Sequence, residues 1–342
     1  MRGILGSRSS GGRFVGAVAV ALAVTACSGT PAPTTSAEGA PASQQSTPVG
    51  DPALATHLQA LQKIADEHGG NRAAGTSGYD ASVDYVVGVL RGAGFEVSTP
   101  GYQVSAEDGG SGQGRNVVAA TRTGDPGRVV MIGAHLDSVP EGPGIVDNGS
   151  GVATLLAIAA RLGAEPQVKN VVRFAFFGHE ETGAEGSAAY VRELPADELT
   201  KIKMYLNVDM VASSNAGYFV QGGVGEDAKA TGPAGSATIA QVLADQLAKT
   251  GVTPEIIEFV GDDESPFIEA GIPVGGAENG DRKRKTDQQA AAWGGQAGQA
   301  YDRCYHKACD RLDNVDYQVL DRYHRALDAA LVQFAASTDP LR

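Results

Sequence analysis

Three apolar runs in this chain stop at side chains that can bind a metal ion or carry a proton. In chain order, the runs and the side chains that follow them are 129–134 with His135, 171–177 with Glu180 and Glu181, and 204–208 with Asp209. Runs of this length, rich in Val, Ile, Leu and Phe, are typical of buried strands. The pattern therefore predicts a sheet whose strands each present a reactive side chain at one end.

Amphipathic segments with helical spacing separate these runs. We predict helices at 54–68, 77–91, 149–162, 183–193, 236–250 and 317–336. We predict strands at 95–104, 116–121, 128–134, 171–177, 204–209 and 254–259, with 218–221 as the hairpin partner of 204–209. This alternation indicates an α/β fold with a mostly parallel sheet sandwiched between helices, in a single domain, 51–342. Ligands of such sheets bind beyond the carboxyl ends of the strands, which places the reactive side chains together.

The N-terminal segment is typical of an exported protein. In residues 1–26, three arginines precede the apolar stretch 14–24, which is too short to span a bilayer and fits a signal peptide. Small residues then lead into Cys27, as at the lipidation site of bacterial lipoproteins, so we expect Cys27 to be lipidated. Ordinary secretion with an incidental cysteine is the alternative. Residues 27–50, rich in Pro, Ser and Thr, are expected to be a disordered tether.

Charge limits the partners of the chain. The formal net charge of −13 argues against nucleic acid and against direct binding to anionic lipid headgroups. We expect membrane contact through the lipid on Cys27 only, on the extracytoplasmic face of the cell membrane, and a monomeric protein. The basic run 282–285 is either a solvated loop or a rim charge that favours acidic substrates.

The first group of candidate ligands is His135, Asp137 and Asp147. A metal-bound imidazole needs an acceptor on its other ring nitrogen, and His-x-Asp supplies a carboxylate two residues away. A buried histidine with local hydrogen bonds is the alternative for His135. Asp147 lies in a glycine-rich turn before a helix, where it is either a turn or capping residue or a bridge between two cations.

The second group is Glu180, Glu181 and Asp209. Adjacent side chains at an irregular strand exit point in different directions, so one glutamate can bind a metal while the other acts as general base. A solvated acidic pair is the alternative, although the pair follows a core strand. Asp209 could cap a helix, but no helical pattern follows it. His179, beside the pair, is expected to be structural.

The last candidate ligand, His306, lies between Cys304 and Cys309. In an oxidising compartment we expect these cysteines to form a local disulfide that stiffens the loop carrying His306; two free thiols are the alternative. Two histidines and several carboxylates, without a thiolate, favour zinc over calcium and suffice for two ions.

These motifs together resemble the co-catalytic dizinc aminopeptidases of the bacterial secreted leucine-aminopeptidase type. The resemblance covers most of 75–336 and rests on GAHLDSV (133–139), GPGIVDNGSG (142–151), FGHEETGAEGS (177–187), YLNVDM (205–210), GIPVGG (271–276) and WGGQAGQAYDRCYHKACD (293–310). It implies a mixed sheet and hydrolysis of the N-terminal peptide bond of peptides by a zinc-activated water.

The resemblance also implies roles for individual residues. One zinc would be held by His135 and Asp209, the other by Glu181 and His306, and Asp147 would bridge the two Zn²⁺ ions. Glu180 would be the general base, Asp137 would orient His135, and Tyr305 would help to stabilise the tetrahedral intermediate. The protease-associated insert found in many relatives has no room in this chain.

One segment departs from the family pattern. Where relatives have Gly-Arg-Ser-Asp-His-x-Pro-Phe, this chain has Gly261 at the arginine position and Glu264 at the histidine position. This puts recognition of the substrate's N-terminal end in doubt. A carboxypeptidase or a single-zinc glutaminyl cyclase on the same fold is therefore a second hypothesis, and a non-catalytic peptide-binding lipoprotein is a third.

Overall fold

The computed structural model describes residues 50–104, 112–339 and 341. The predicted signal peptide, the lipidation site Cys27 and all but the last residue of the predicted tether lie outside the described residues. No helix of the described part is long and apolar enough to cross a membrane.

The strands and helices alternate along most of the described chain. The strands are β1 Glu96–Ser98, β2 Gly101–Gln103, β3 Gln113–Arg115, β4 Val117–Ala120, β5 Asp125–His135, β6 Asn170–Phe177, β7 Ile202–Val208, β8 Phe219–Gln221, β9 Glu255–Ile257 and β10 Val274–Glu278. The helices are α1 Pro52–Glu67, α2 Ser77–Gly92, α3 Gly149–Leu162, α4 Glu185–Glu193, α5 Ala196–Leu199, α6 Ala228–Thr231, α7 Ser236–Ala248, α8 Ser265–Glu269, α9 Asp287–Trp293 and α10 Tyr317–Ala336.

A mixed sheet of eight of these strands forms the centre of the described fold. Its order is β1-β4-β6-β5-β7-β10-β8-β9, and β2 and β3 form a separate two-stranded ribbon. The central strands β6, β5, β7 and β10 run parallel to one another, while β1, β4 and β8 pair antiparallel with a neighbour. The predicted α/β class with a mostly parallel, mixed sheet is confirmed.

Helices cover both faces of the sheet because its central strands are apolar on both faces. Along β5, Val130 and Ile132 face the core under α1, α2, α3, α7 and α10. Their neighbours Val129 and Met131 face the other way, towards Tyr190 of α4 and the α8 side. The strand is therefore buried from both sides, which explains its uninterrupted apolar sequence.

The starts of the long helices follow from their capping residues. The side chains of Asp51, Thr76, Asn148 and Asp316 accept hydrogen bonds from backbone N–H groups of the first turns of α1, α2, α3 and α10. Each cap satisfies donors that have no partner within the helix. The bounds predicted for 149–162 and 317–336 match the observed helices.

Two strand predictions are wrong in part. The segment 218–221 was expected to pair with 204–209, but β8 pairs with β10 and β9, and β10 lies between β8 and β7. The segment 95–104 divides into β1, on the main sheet, and β2, on the ribbon. Both errors concern pairing between distant segments, which short β-rich runs do not specify.

Burial of the helical face of α10 should dominate its contribution to stability. Leu331 is 1% exposed and packs in the core, whereas its neighbour Val332 is 43% exposed. We expect Leu331→Ala to lower the free energy of unfolding by about 2–5 kcal/mol, as for other buried leucines. Val332→Ala, the matched control, should change it by less than about 0.5 kcal/mol. Urea unfolding followed by circular dichroism measures both, and equal effects would contradict the packing of α10.

Candidate metal centre

The parallel strands β6, β5 and β7 bring their terminal side chains to one edge of the sheet. His135 is the last residue of β5, Asp209 directly follows β7, and Glu180 and Glu181 follow β6. These strands are neighbours in the order β6-β5-β7. All four side chains therefore lie at the carboxyl ends of neighbouring strands, as expected from the sequence.

Asp147 lies between two histidines that are 171 positions apart in the chain. One carboxylate oxygen, Oδ1, is 3.2 Å from His135 Nε2, and the other, Oδ2, is 3.2 Å from His306 Nε2. Each histidine has a second carboxylate beside it. His135 Nε2 is 3.3 Å from Asp209 Oδ1, and His306 Nε2 is 2.9 Å from Glu181 Oε2. The result is two histidine–carboxylate pairs that share one aspartate.

Several of these atoms converge without forming hydrogen bonds. His135 Nε2, Asp209 Oδ1 and Glu181 Oε1 are buried and have no hydrogen-bond partner, although His135 and Asp209 are in close contact. Ligand atoms of His135, Asp147 and Glu181 all lie within 4.8 Å of one another. Buried polar atoms normally form hydrogen bonds. Nitrogen and oxygen atoms that lack such bonds and lie close together can instead coordinate a metal cation. The residues present therefore fit metal ions.

The electrostatics of the cluster also favour a cation. Burial, which is the largest cause, and the negative charge of Asp147 together raise the pKa of Glu181 to about 7. Burial works against the charged form of His306, but contacts with Asp147 and Glu181 outweigh it and raise the pKa of His306 to about 10. Carboxylates crowded in a poorly solvated site favour any nearby positive charge, and a divalent ion supplies more of it than a proton.

Glu180 lies apart from the two pairs. Its Oε2 is 4.0 Å from His135 Nε2, at the limit of an ionic contact, and the side chain lines the same cavity as Glu181 and Asp209. Burial, opposed by His135 and reinforced by the carboxylates of Asp263 and Asp209, raises the pKa of Glu180 well above its usual value. A carboxylate in this position can accept a proton from a water in the cavity.

Asp137 makes a different set of contacts from the expected one. Its carboxylate oxygens accept hydrogen bonds from the backbone N–H groups of Glu180 and Glu181, at 3.2 and 3.4 Å. His135 Nδ1 lies 3.1 Å from the backbone carbonyl oxygen of Asp137 and 3.7 Å from its carboxylate. Asp137 thus orients His135 through its main chain and fixes the glutamate pair through its side chain.

Two buried residues that the sequence analysis missed hold the loop carrying Asp147. The guanidinium of Arg72 is fully buried and donates to the backbone carbonyls of Leu136, Pro143 and Gly144. The carboxylate of Asp310 accepts from the backbone N–H groups of Val146 and Asp147, at 2.9 and 3.0 Å. Neither residue ends an apolar run, so the signal used for the ligands did not apply to them.

Asn148 and Gly151 bring this loop against the end of β7. The side chain of Asn148 donates to the carbonyl of Val208 at 2.8 Å and accepts from the N–H of Met210 at 3.2 Å. A Cβ added to Gly151 would lie 2.6 Å from the same carbonyl oxygen. A glycine is therefore required where helix α3 begins, which explains the Gly-Ser-Gly motif after Asp147.

The loop of His306 is closed by the predicted disulfide between Cys304 and Cys309, which is confirmed. The ring of Tyr305 stacks on the ring of His306, with centroids 3.8 Å apart, and lines the cavity. His179 is turned away from the candidate ligands, with its Nδ1 2.9 Å from the hydroxyl of Tyr102.

The basic run 282–285 is not a uniformly solvated loop. The side chain of Lys285 is buried, and its Nζ donates to the carbonyl of Gly294 at 2.9 Å. Lys283 lines the cavity of the candidate site, which has a volume of about 260 Å³. A larger groove of about 810 Å³ runs along β1 and β4 and contains none of the candidate ligands.

Comparisons with known proteins point the same way as this geometry. The family model described as peptidase family M28 matches residues 116–331. Leupeptin-inactivating enzyme 1 of Streptomyces exfoliatus is 45% identical over 288 residues, which cover 82% of this chain and 61% of that protein. The probable lipoprotein aminopeptidase LpqL of Mycobacterium tuberculosis is 44% identical over 267 residues, covering 75% of this chain and 53% of that protein. The chain thus spans roughly half to three fifths of the length of these relatives.

Solved structures share the fold at low identity. A zinc aminopeptidase from Bacillus subtilis aligns with a TM-score of 0.66 at 16% identity, over 83% of this chain and 95% of its own. A glutaminyl cyclase from Porphyromonas gingivalis aligns with a TM-score of 0.62 at 23% identity, over 82% of this chain and 98% of its own. The family model covers well over half of the chain and includes His135, Asp147, the glutamate pair, Asp209 and His306, and the chain belongs to peptidase family M28.

Proposed function

We propose that this protein is a metal-dependent aminopeptidase that hydrolyses the N-terminal peptide bond of peptides. The observation that carries the proposal is the sharing of Asp147 by two histidine–carboxylate pairs, with Glu180 beside them at 4.0 Å from His135 Nε2. Of the two relatives described above, one is named a leupeptin-inactivating enzyme and the other a probable lipoprotein aminopeptidase, and these names support the proposal.

The ligand assignment follows the pairs. His135 and Asp209 would hold one zinc ion, Glu181 and His306 would hold the second, and Asp147 would be shared by the two sites. Nitrogen and oxygen ligands of this kind suit zinc. When bound, two zinc ions supply Lewis acidity, which polarises a carbonyl and lowers the pKa of a water.

The proton transfers are assigned to Glu180. Its carboxylate removes a proton from the attacking water and later delivers a proton to the leaving amine. The backbone N–H groups of Glu180 and Glu181 donate hydrogen bonds to the Asp137 carboxylate, and these bonds fix the backbone from which the two side chains point in separate directions. The hydroxyl of Tyr305, at the cavity wall beside His306, donates to the oxyanion that develops on the substrate carbonyl.

The two further hypotheses fit the geometry less well. A single-zinc glutaminyl cyclase needs only one metal position, whereas this site contains two pairs around one bridging carboxylate. A carboxypeptidase would need a cation for the substrate's terminal carboxylate, and the cavity wall is mainly acidic. A peptide-binding lipoprotein would need neither Glu180 nor a bridging aspartate.

For location, we propose export, lipidation of Cys27 and attachment to the outer side of the cell membrane by that lipid alone. The tether 27–50 would separate the lipid from a catalytic domain at 51–342. The name of the relative LpqL, a probable lipoprotein, supports this assignment. Peptides are the proposed partners, and the chain is proposed to act as a monomer.

Removal of the proposed base should abolish most of the activity. We expect Glu180→Gln to lower kcat for leucine 4-nitroanilide by about 10²–10⁴-fold, because general base catalysis contributes this much, while zinc content and thermal unfolding stay the same. Glu193→Gln, on the exposed face of α4, is the matched control and should keep full activity. A Glu180→Gln enzyme with near wild-type kcat would contradict the assignment.

Metal content should follow the two pairs. We expect two zinc ions per chain in the wild type and about one in His306→Ala, measured by elemental mass spectrometry after gel filtration. Removing metal with a chelator should abolish hydrolysis and lower the unfolding temperature, because ions that bind only the folded chain stabilise it. Zinc should restore both. One zinc per wild-type chain would favour the cyclase, and activity that survives complete metal removal would exclude a metallopeptidase.

A further inference from the structure

The wall of the catalytic cavity facing the metal ligands is acidic. It is formed by Asp262, Glu278 and Asp281, with Val260 and Met210 as its apolar part, and Lys283 also lines the cavity. Glu278 is the last residue of β10, which runs parallel to β7 with Ala277 opposite Val208, so Glu278 follows in register beside the ligand Asp209. The same strand-end geometry that places the ligands therefore adds a carboxylate on the next strand.

This wall is part of the catalytic cavity and is not a separate surface patch. The same cavity contains Glu181, whose side chain is 6% exposed and whose Oε1 has no hydrogen-bond partner. A volume of about 260 Å³ is slightly below the range of about 300–1,000 Å³ typical of larger ligand sites. The cavity is thus sized for a single residue at the end of a peptide.

The three wall carboxylates make no ion pair within the described part of the chain. Glu278 accepts a hydrogen bond from the neutral side chain of Gln221. Asp281 accepts from the backbone N–H of Lys283, whose own side chain is exposed and forms no ion pair with a carboxylate of the wall among the described residues. The wall is therefore acidic without a fixed counterion.

The position of Asp262 is set by Glu264, one of the residues that departs from the family pattern. One oxygen of Glu264 accepts from the backbone N–H groups of Gly261 and Asp262, at 2.9 and 3.0 Å, and the other accepts from the side chain of Asn207 at 3.3 Å. Glu264 is fully buried, so it fixes the turn and leaves the side chain of Asp262 at the cavity. The departure removes a cation from this segment and adds an anion.

Charge balance then indicates what the cavity accepts. Two zinc ions are matched by Asp147, Glu181 and Asp209 together with Glu180, which leaves the three wall carboxylates against Lys283 alone. The α-ammonium of any peptide supplies one positive charge, and a negative charge remains. We infer that the enzyme prefers peptides whose first residue has a cationic side chain, lysine or arginine, and that Glu278 and Asp262 determine this specificity; the inference rests on the proposed aminopeptidase function.

An aliphatic side chain would be disfavoured at this wall for a physical reason. It would remove water from Glu278 and Asp262 without replacing the lost hydrogen bonds, and buried charged groups without partners are costly. An ammonium or guanidinium group stabilises the ionised forms of both.

The test compares substrates of equal length that differ in charge. We expect the zinc-loaded mature protein to hydrolyse lysine and arginine 4-nitroanilides with a kcat/KM at least about tenfold above that for norleucine 4-nitroanilide, a factor typical of a charge-assisted hydrogen bond. Glu278→Gln and Asp262→Asn should each lower the lysine-to-norleucine ratio several-fold, with norleucine turnover kept or raised. Glu226→Gln and Asp84→Asn, exposed residues outside the cavity, remove the same charges and should leave the ratio unchanged.

A binding measurement gives a readout that does not depend on turnover or on the variants folding. L-lysine should bind the wild-type zinc protein more tightly than L-norleucine in calorimetry, and the difference should shrink as salt is raised. Hydrolysis of norleucine anilide at least as fast as lysine anilide, or equal binding of the two amino acids, would overturn the inferred specificity. Neither result would contradict the proposed aminopeptidase function. A lack of hydrolysis of every aminoacyl anilide would instead overturn the proposed function.

Discussion

The site depends on the position of one carboxylate, that of Asp147. Its two oxygens each lie 3.2 Å from a different histidine, so a small shift of its backbone would separate the two halves of the site. The backbone is held by Asp310 on one side and by Asn148 on the other. Because Asp310 belongs to the His306 loop and Asn148 contacts Val208 at the end of β7, the aspartate links elements that are remote in the chain.

A buried arginine supplies positive charge close to the acidic side chains of the site. Arg72 donates to main-chain carbonyls of the loops that carry His135 and Asp147, and its guanidinium has no direct carboxylate partner among the described residues. Burial lowers the pKa of Arg72 to about 10, and the nearby charges of Asp137, Asp310 and Asp147 oppose this by favouring the charged arginine. Arg72 thus serves both as a structural support and as a counterion for a strongly acidic centre.

The candidate ligands at the strand ends were predictable from sequence because they obey a local rule. A polar side chain directly after a buried run, as at His135 and Asp209, lies at a strand end whatever the rest of the fold does. Glu278 follows the same rule at the end of β10, but that strand contains two glycines and was not among the predicted strands. Arg72 and Asp310 obey no such rule, because their contacts are with main-chain groups of other loops.

The sequence alone determined the α/β class, the residues at the strand ends, the disulfide around His306 and the family resemblance, since each depends on periodicity or on residues close together in the chain. Only the tertiary structure decided that Asp147 lies between two histidines, that β10 separates β7 from β8, and that three further carboxylates line the cavity of the candidate ligands. These features arise from pairing between distant segments, and the composition of a short segment does not specify the segment with which it pairs.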